Sequence, residues 1–126
     1  MEVKNEKMTY KQKKEYLKSY RVKHDRLEFV KNQIEGIQAI KYTPNINGPK
    51  KSLNAYIAEK TILDKELGEI EECINLVPDI RARTVLGYRY LRFKTYAEIG
   101  EIIGYSEGYV KKINKDGIKL ILNNTV

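Results

Sequence analysis

Three lysines that follow a glycine-containing turn are the residues of this chain best suited to recognition chemistry. Lys111, Lys112 and Lys115 come shortly after the turn at residues 104–106, in a stretch with helical spacing. Lysine side chains donate hydrogen bonds to phosphate oxygens and to the acceptor edges of bases. A short basic helix behind a tight glycine turn is typical of proteins that enter the major groove of a duplex. The stretch therefore predicts a helix-turn-helix.

Residue types that support catalysis or metal binding are too few to form a site. Cys73 is the only cysteine, which excludes an internal disulfide and any zinc or redox site of the CxxC type. We expect a buried thiol, since free cysteine is among the most buried residue types. His24 is the only histidine, and a metal or acid–base site needs further partners. With no carboxylate pair and no glycine-rich phosphate loop, the sequence predicts no enzyme, no cofactor and no metal.

The composition favours a polyanionic partner. The 126 residues include 24 Lys and Arg against 17 Asp and Glu, a formal net charge of +7. Positive charge is denser in residues 78–126 than in residues 1–77. Membranes are also polyanionic, but no apolar run approaches the roughly 20 residues that span a bilayer. The charged N-terminus does not resemble a signal peptide, so we expect a soluble cytoplasmic protein with no membrane partner.

Two short helices must hold the lysines in place. Thr95 followed three residues later by Glu98 is a capping box, so the first helix should start at Thr95 and stop at Gly104. Ser106 is a suitable cap for the second helix. Apolar residues recur at helical spacing in both; they are Tyr96, Ile99, Ile102 and Ile103 in the first, and the inward-facing Val110, Ile113 and Ile118 in the second.

Two glycines lie inside these predicted helices, where glycine costs about 1 kcal/mol relative to alanine. Gly100 should permit a close crossing of the two helices. The pattern offers no firm explanation for Gly117, beyond a bend or an end of the last helix.

A further helix is predicted after Pro78, with Asp79 in its first turn. Its apolar face should consist of Ile80, Val85, Leu86, Tyr90 and Leu91. The remaining faces carry arginines that are candidates either for phosphate contacts or for local pairing: Arg81, Arg83, Arg89 and Arg92.

Aromatic and basic residues alternate at the end of this helix, a pattern that also fits stacking on single-stranded bases. The aromatic residues are Tyr88, Tyr90, Phe93 and Tyr96, and the basic residues are Arg89, Arg92 and Lys94. Core packing of the aromatic rings is the favoured interpretation, because Tyr90 falls in step with Leu86 and Leu91.

Residues 1–77 predict a long antiparallel, coiled-coil-like helical hairpin. One helix should run from Thr9 to about Ile40 and a second from Ser52 to about Val77. Apolar residues recur in steps of three and four along both helices; they are Tyr10, Leu17, Tyr20, His24, Leu27, Val30, Ile34 and Ile37, and then Leu53, Tyr56, Leu63, Leu67, Ile70, Ile74 and Val77, with Lys60 interrupting the second seam.

The stretch Lys41–Lys51, rich in proline, asparagine and glycine, should be the loop of this hairpin. Two seams of matching length should pack against each other. Further apolar residues would stay uncovered, namely Phe29, Ile40, Ile57 and Ile62. Such an edge favours a homodimer or docking on the C-terminal domain.

The C-terminal third resembles a known module. Residues 77–90 read VPDIRARTVLGYRY, residues 95–100 read TYAEIG and residues 104–111 read GYSEGYVK. In this order and spacing they resemble the fourth region of bacterial sigma factors, a helix followed by a helix-turn-helix that reads the upstream promoter element. With the hairpin in front, the whole chain is similar to small phage-encoded sigma-like regulators of the RinA and ArpU type. The resemblance implies control of late or packaging genes.

The resemblance also assigns roles to individual residues. The groove-reading positions fall on Glu107, Gly108, Lys111 and Lys112, with Lys115 one turn later. Thr95 and Tyr96 fall where the family touches phosphates. Ser106 and Tyr109 complete the candidate DNA-binding set, and Arg89, Arg92 and Lys94 are further candidates for phosphate contacts.

Two positions depart from the family pattern. Glu107 stands where an arginine is frequent, and it would accept a hydrogen bond from a cytosine amino group. Gly108 has no side chain, which would let the backbone or Tyr109 approach the sugar-phosphate chain.

The sequence therefore predicts an all-α, sequence-specific DNA-binding transcriptional regulator in the cytoplasm of a bacterial host cell. Residues 1–77 would serve dimerisation or partner binding, and residues 78–126 would bind double-stranded DNA, with RNA polymerase as a further candidate partner. One alternative is an adaptor that binds RNA polymerase or another regulator without touching DNA, which Glu107 and Gly108 favour. Another is an RNA-binding protein that uses the tyrosine and arginine run.

Overall fold

All regular structure in the described parts of the chain is helical. The computed structural model describes residues 8–39 and 52–122. Its α-helices are α1 (Tyr10–Ala39), α2 (Leu53–Asn75), α3 (Ile80–Leu86), α4 (Tyr96–Ile103) and α5 (Glu107–Lys119), with a π-helical segment, Gly87–Leu91, between α3 and α4. The predicted all-α class is confirmed. None of these helices combines the length and apolar character that a membrane span requires.

Side-chain caps set the starts of the two long helices. Thr9 Oγ1 accepts a hydrogen bond from the Gln12 N–H at 3.1 Å, and Gln12 Oε1 accepts one from the Thr9 N–H at 2.9 Å. Ser52 Oγ accepts a hydrogen bond from the Ala55 N–H at 3.1 Å. Such caps satisfy N–H groups that have no partner inside the helix. Both helices therefore begin where the sequence predicts.

The packing divides the chain into two compact units. The hairpin unit consists of Val22–Gly68, and the helix-turn-helix unit consists of the residues up to Arg21 together with those from Glu69 onward. The predicted boundary between Val77 and Pro78 does not coincide with either division, because the start of α1 and the end of α2 pack with the C-terminal helices. The roles assigned to residues 1–77 and 78–126 stay predictions.

The hairpin unit is an antiparallel pair of helices, as predicted. Arg26 donates two hydrogen bonds to the Glu59 carboxylate, at 2.6 and 3.0 Å, and the Phe29 and Tyr56 rings meet edge to face with centroids 6.5 Å apart. Contact positions therefore rise along α1 while they fall along α2. The predicted seam residues of this unit are all buried or half-buried: His24, Leu27, Val30, Ile34, Ile37, Leu53, Tyr56, Leu63 and Leu67.

Three of the apolar side chains that the sequence predicts to stay uncovered in the hairpin unit are exposed. Phe29, Ile57 and Ile62 keep 44, 43 and 56% of their surface accessible, in agreement with the predicted uncovered edge. Ile40 and the loop predicted at Lys41–Lys51 lie outside the described residues. Self-association through this edge stays a prediction.

The helix-turn-helix unit takes fully buried side chains from all five helices. They include Leu17 of α1, Ile70 and Ile74 of α2, Leu86 of α3, Ile99 of α4 and Ile118 of α5. In this unit α5 packs against both α3 and α4. The start of α1 therefore helps to support the two short helices that the sequence predicts as a helix-turn-helix.

Ile80 was wrongly predicted to lie on the apolar face of α3. Its side chain is 68% exposed. Asp79 caps α3, so Ile80 is the first helical residue, and the buried face consists of Ala82, Val85 and Leu86. Successive helical residues are turned by about 100°, which places a residue two positions before Ala82 on the opposite side of the helix.

Gly117 is a position of close helix packing, which the sequence pattern does not reveal. A β-carbon at Gly117 would lie 3.1 Å from Ala82 Cβ and 3.3 Å from two side-chain carbons of Leu86. Such separations are tighter than ordinary van der Waals contact. The missing side chain therefore allows α5 to approach α3 closely.

We predict that Gly117→Val lowers the free energy of unfolding by about 1 to 3 kcal/mol, because the added carbons overpack the contact between α5 and α3. Gly108→Val is the matched control, since Gly108 is in the same helix and a β-carbon there would have no neighbour within 4 Å. Urea denaturation followed by circular dichroism measures both. Equal stability of the two variants would contradict close packing at Gly117.

Candidate nucleic-acid interface

The helix α4 is fixed at both ends by hydrogen bonds. Thr95 Oγ1 accepts from the Glu98 N–H at 3.1 Å, while Glu98 Oε1 accepts from the Thr95 N–H at 2.8 Å. At the C-terminal end, the Gly100 carbonyl accepts from the N–H groups of Gly104 and Tyr105, at 2.8 and 3.0 Å. Gly104 has a φ of 83°, in the left-handed region that favours glycine. The predicted capping box and the stop at Gly104 are confirmed.

The turn into α5 is tight because of Gly100. A β-carbon on Gly100 would collide with the Tyr105 carbonyl oxygen. The predicted close approach is therefore present, but its partner is the backbone of the turn. Ser106 Oγ then accepts a hydrogen bond from the Tyr109 N–H at 3.1 Å, which confirms Ser106 as the cap of α5.

The helix α5 has a buried face and an open basic face. Val110, Ile113 and Ile118 are buried, as predicted. The predicted groove-reading residues are all exposed: Glu107, Gly108, Lys111, Lys112 and Lys115. An ideal α-helix turns by about 100° per residue, so the last four lie within an arc of about 100° around the axis of α5. They therefore form one surface, accessible to a ligand.

Two of the three lysines on this face pair with carboxylates of their own helix. Lys111 Nζ lies 3.6 Å from Glu107, and Lys112 Nζ lies 3.1 Å from Asp116, both at a separation of four residues. More than half of each of these side chains is exposed. Exposed pairs of this kind contribute only about 0.3 to 0.5 kcal/mol, so a phosphate or a base can replace the carboxylate at little cost.

Tyr96 links the start of α4 to the basic face of α5. The Arg89 guanidinium lies 4.0 Å from the centre of the Tyr96 ring, and Lys111 Nζ lies 5.8 Å from it. Cations near an aromatic face are attracted by its quadrupole. The structure thus brings together Tyr96, Arg89 and Lys111, three residues that the sequence assigns to DNA contacts.

Asn114 is a residue of this region that the sequence predictions missed. It is 3% exposed, and its Nδ2 donates to the Tyr90 hydroxyl at 3.1 Å and lies 3.4 Å from the Tyr96 hydroxyl. A polar residue four positions after Val110 and four before Ile118, both buried, is the signal that could have identified it. The amide holds both tyrosines against α5, which fixes the orientation of the Tyr96 ring.

The arginines near α3 are engaged with the protein itself. Arg81 donates to the Tyr109 hydroxyl at 2.8 Å and Arg83 to the Val77 carbonyl at 3.1 Å. Arg89 donates to the Lys94 carbonyl at 3.1 Å, and the Arg92 guanidinium lies 5.3 Å from the centre of the Tyr88 ring. Local contacts are thus present for all four arginines, and their phosphate contacts stay a prediction. Arg92 is exposed, whereas Arg89 and Lys94 are half-buried.

The aromatic rings near these arginines pack within the protein. Tyr90 is 5% exposed, as predicted for a core residue, and burial raises the pKa of its hydroxyl. Tyr88 and Tyr96 are half-buried with arginines over their faces, and the Phe93 ring carries Arg21. Stacking on single-stranded bases would have to displace these arginines first.

In the part of the chain that the structure describes, neither the single cysteine nor the single histidine belongs to a cluster of metal-binding side chains. Cys73 is buried, as expected, and burial raises the pKa of its thiol. His24 Nδ1 lies 3.5 Å from the Asp25 carboxylate. Within residues 8–39 and 52–122, no three side chains of the His, Cys, Asp or Glu type are close enough to hold a metal ion.

Comparison with known proteins identifies one segment. Residues 79–121 match the family model described as Sigma-70, region 4, and this segment runs from the cap of α3 past the end of α5. The match agrees with the resemblance seen in the sequence and supports a DNA-binding, helix-turn-helix role for these residues. No curated protein and no solved structure matches the chain.

We predict that the contribution of Glu98 to stability depends on pH. The hydrogen bond from the Thr95 backbone N–H, assisted by its side chain and by Lys94, lowers the pKa of the Glu98 carboxyl below its usual value of 4.5. A carboxylate with a lowered pKa contributes stability above its unfolded-state pKa and loses it as the pH falls through the folded-state pKa. Glu98→Ala should therefore be less stable than wild type at neutral pH, with a difference that shrinks below pH 4.5.

Thermal denaturation at neutral and acidic pH measures this difference. Glu101→Ala, which changes an exposed glutamate of the same helix outside the capping box, is the control. A Glu98→Ala difference that stays constant down to strongly acidic pH would contradict the role of the ionised carboxylate.

Proposed function

We propose that this protein is a sequence-specific DNA-binding transcriptional regulator whose α5 enters the major groove of double-stranded DNA. The observation that carries the proposal is the exposed lysine face of α5, behind a capped turn, within the segment that matches Sigma-70, region 4. The major groove of B-DNA admits one α-helix, and the entering face must be free of protein packing.

Lys111 and Lys112 are the proposed base-reading residues. A lysine in the groove donates to O6 and N7 of guanine. On binding, each lysine leaves its carboxylate partner on α5 and donates to the base instead. Both carboxylate side chains are more than half exposed in the free protein. Glu107, once released from Lys111, accepts a hydrogen bond from a cytosine amino group.

Phosphate contacts supply most of the affinity in this proposal. Thr95 and Tyr96 lie at the start of α4, and the 5.8 Å separation between the Tyr96 ring and Lys111 Nζ supports phosphate contacts beside the proposed base-reading face of α5. Arg89, Arg92 and Lys94 add positive charge to the same part of the chain. Because each phosphate contact releases counterions, binding should weaken steeply as salt rises.

The wider resemblance extends the proposal to biology. Small phage-encoded sigma-like regulators control late or packaging genes. By this resemblance, the protein would control such genes in the cytoplasm of the bacterial host. The hairpin unit would supply dimerisation or contact with RNA polymerase through its exposed apolar edge, which includes Phe29, Ile57 and Ile62.

A second candidate function is that of an adaptor that binds RNA polymerase without touching DNA. The pairing of Lys111 with Glu107 and of Lys112 with Asp116 favours it, because paired lysines present less positive charge to a duplex. A gel shift with fragments of the source genome separates the two functions. Binding that requires added polymerase supports the adaptor, and binding by the protein alone supports the regulator.

We predict that Lys111→Ala relaxes sequence preference, whereas Arg92→Ala weakens binding to all sequences alike. Loss of a base contact should remove about 1 to 3 kcal/mol of discrimination between the correct and a wrong base pair. A phosphate contact does not distinguish one sequence from another, so its loss should weaken binding to every duplex alike. The measurement is the ratio of dissociation constants for a duplex selected from the source genome and its scrambled version.

Lys65→Ala, an exposed lysine of the hairpin unit, controls for the change in net charge. A Lys111→Ala protein that keeps the wild-type ratio would remove Lys111 from the base-reading set. A wild-type ratio of one for every selected duplex would overturn sequence-specific binding as a whole.

A further inference from the structure

The start of α1 carries a dense positive charge and belongs to the helix-turn-helix unit. Residues 10–21 contain a single acidic residue, Glu15, against five basic residues: Lys11, Lys13, Lys14, Lys18 and Arg21. The sequence pattern assigns this stretch to a hairpin for dimerisation. In the structure, however, residues 10–21 pack with the C-terminal helices.

Specific contacts hold the start of α1 against the C-terminal helices. Lys13 Nζ donates to the Lys119 carbonyl, at the end of α5, at 3.2 Å. The Tyr20 ring meets the Phe93 ring with centroids 6.2 Å apart. Tyr20 also donates from its hydroxyl to the Glu71 carboxylate at 2.6 Å, which ties α1 to α2 in the same unit. These contacts therefore hold the basic stretch in the same compact unit as α5.

Phe93 occupies a conformation that non-glycine residues rarely adopt. Its φ is 61°, in the left-handed region. Such backbone persists only where the surrounding structure holds it, and it is frequent at ligand-binding sites. In this protein the ring contacts Tyr20 on one side, and the Arg21 guanidinium lies 4.8 Å from its centre.

Lys18, Arg21 and Arg89 line one cleft beside this ring. The cleft has a volume of about 190 Å³, and Leu17, Tyr90 and Phe93 form the rest of its wall. Three cations around a partly apolar wall attract an anion, since the wall lowers the local dielectric and strengthens their field.

Arg89 connects this cleft to the reading face of α5. It lines the cleft and also lies 4.0 Å from the centre of the Tyr96 ring, which Lys111 approaches at 5.8 Å. Positive side chains therefore follow one another from α1 to α5. DNA carries one negative charge per roughly 1.7 Å of its axis, so such a row can meet several phosphates of one duplex.

The two α1 cations of the cleft are available to a ligand. Lys18 and Arg21 are exposed, and neither forms an ion pair with a carboxylate of residues 8–39 or 52–122. Lys111 and Lys112, in contrast, pair with Glu107 and Asp116. An unpaired cation binds a phosphate without first releasing a carboxylate.

We infer that Lys18 and Arg21, together with Arg89, form a second DNA contact that grips the phosphate backbone beside the groove entered by α5. The inference rests on the proposed function, because it assigns a further part of the same DNA-binding surface. In this arrangement α5 reads bases, and the start of α1 adds affinity that does not depend on sequence.

The test is the salt dependence of duplex binding by the full chain. Fluorescence anisotropy with a labelled mixed-sequence duplex of roughly 25 base pairs, about two and a half turns, gives the binding constant at several salt concentrations. The double variant Lys18→Gln with Arg21→Gln removes two phosphate contacts. Its slope of log affinity against log salt should be shallower than that of wild type by roughly 2, at about 0.9 per contact.

The matched control is Lys31→Gln with Lys65→Gln, which makes the same change in net charge at exposed positions of the hairpin unit. Its slope should equal that of wild type. Arg21→Lys keeps the charge and should also keep the slope. Lys18→Gln alone, with an expected change of about 0.9, serves as the test if loss of the Arg21 contact with Phe93 lowers thermal stability.

The outcomes separate the inference from the proposed function. A double variant with the slope of its control, while Lys112→Ala weakens binding, would overturn the α1 contact and leave the regulator intact. Absence of wild-type binding to any duplex would overturn both. A shallower slope for the Lys18→Gln and Arg21→Gln double variant, with the wild-type slope kept by Arg21→Lys and by the hairpin control, supports the second contact.

Discussion

The position of α5 depends on how closely the backbone of the turn approaches Gly100. The carbonyl of Gly100 accepts hydrogen bonds from the N–H groups of Gly104 and Tyr105. Because Gly100 has no side chain, the Tyr105 carbonyl can lie close to its α-carbon. Any β-carbon there would push the turn away from α4. Because Ser106 caps α5 directly after this turn, a displacement of the turn would move the whole basic face.

Contacts at the other end of α5 complete the support. Gly117 lets the helix lie close to Ala82 and Leu86 of α3. Between these two glycine contacts, the buried amide of Asn114 holds Tyr96, whose ring faces both Arg89 and Lys111. The side that faces the protein is thus specified by close packing and by one polar network, while the opposite side is left to solvent.

Electrostatics in this unit are divided between paired and unpaired cations. Lys111 and Lys112 have carboxylates within reach on their own helix, which limits their attraction for anions in the free protein. Within residues 8–39 and 52–122, Lys18 and Arg21 of α1 form no ion pair with a carboxylate. Lys18 and Arg21 can therefore attract a polyanion at long range, whereas Lys111 and Lys112 become available only when a ligand in close contact displaces their carboxylate partners.

Much of the fold could be predicted from the sequence, because the signals are local. The capping box of Thr95 and Glu98, the cap at Ser106 and the left-handed Gly104 each depend on residues within one helical turn. Apolar spacing likewise revealed which faces of α1 and α2 are buried. Ile80 of α3 is an exception, since one residue at a helix start has no second apolar neighbour to fix the phase.

The sequence by itself determined the helices, their caps and the basic face of α5, because hydrogen bonds and periodicity within a helix involve residues close along the chain. Only the tertiary structure decided which elements share a core. It placed the start of α1 beside Phe93 and α5, explained Gly117 through α3, and buried Asn114 against two tyrosines. Contacts between residues distant in sequence leave no periodic signal, and so packing in three dimensions reveals them.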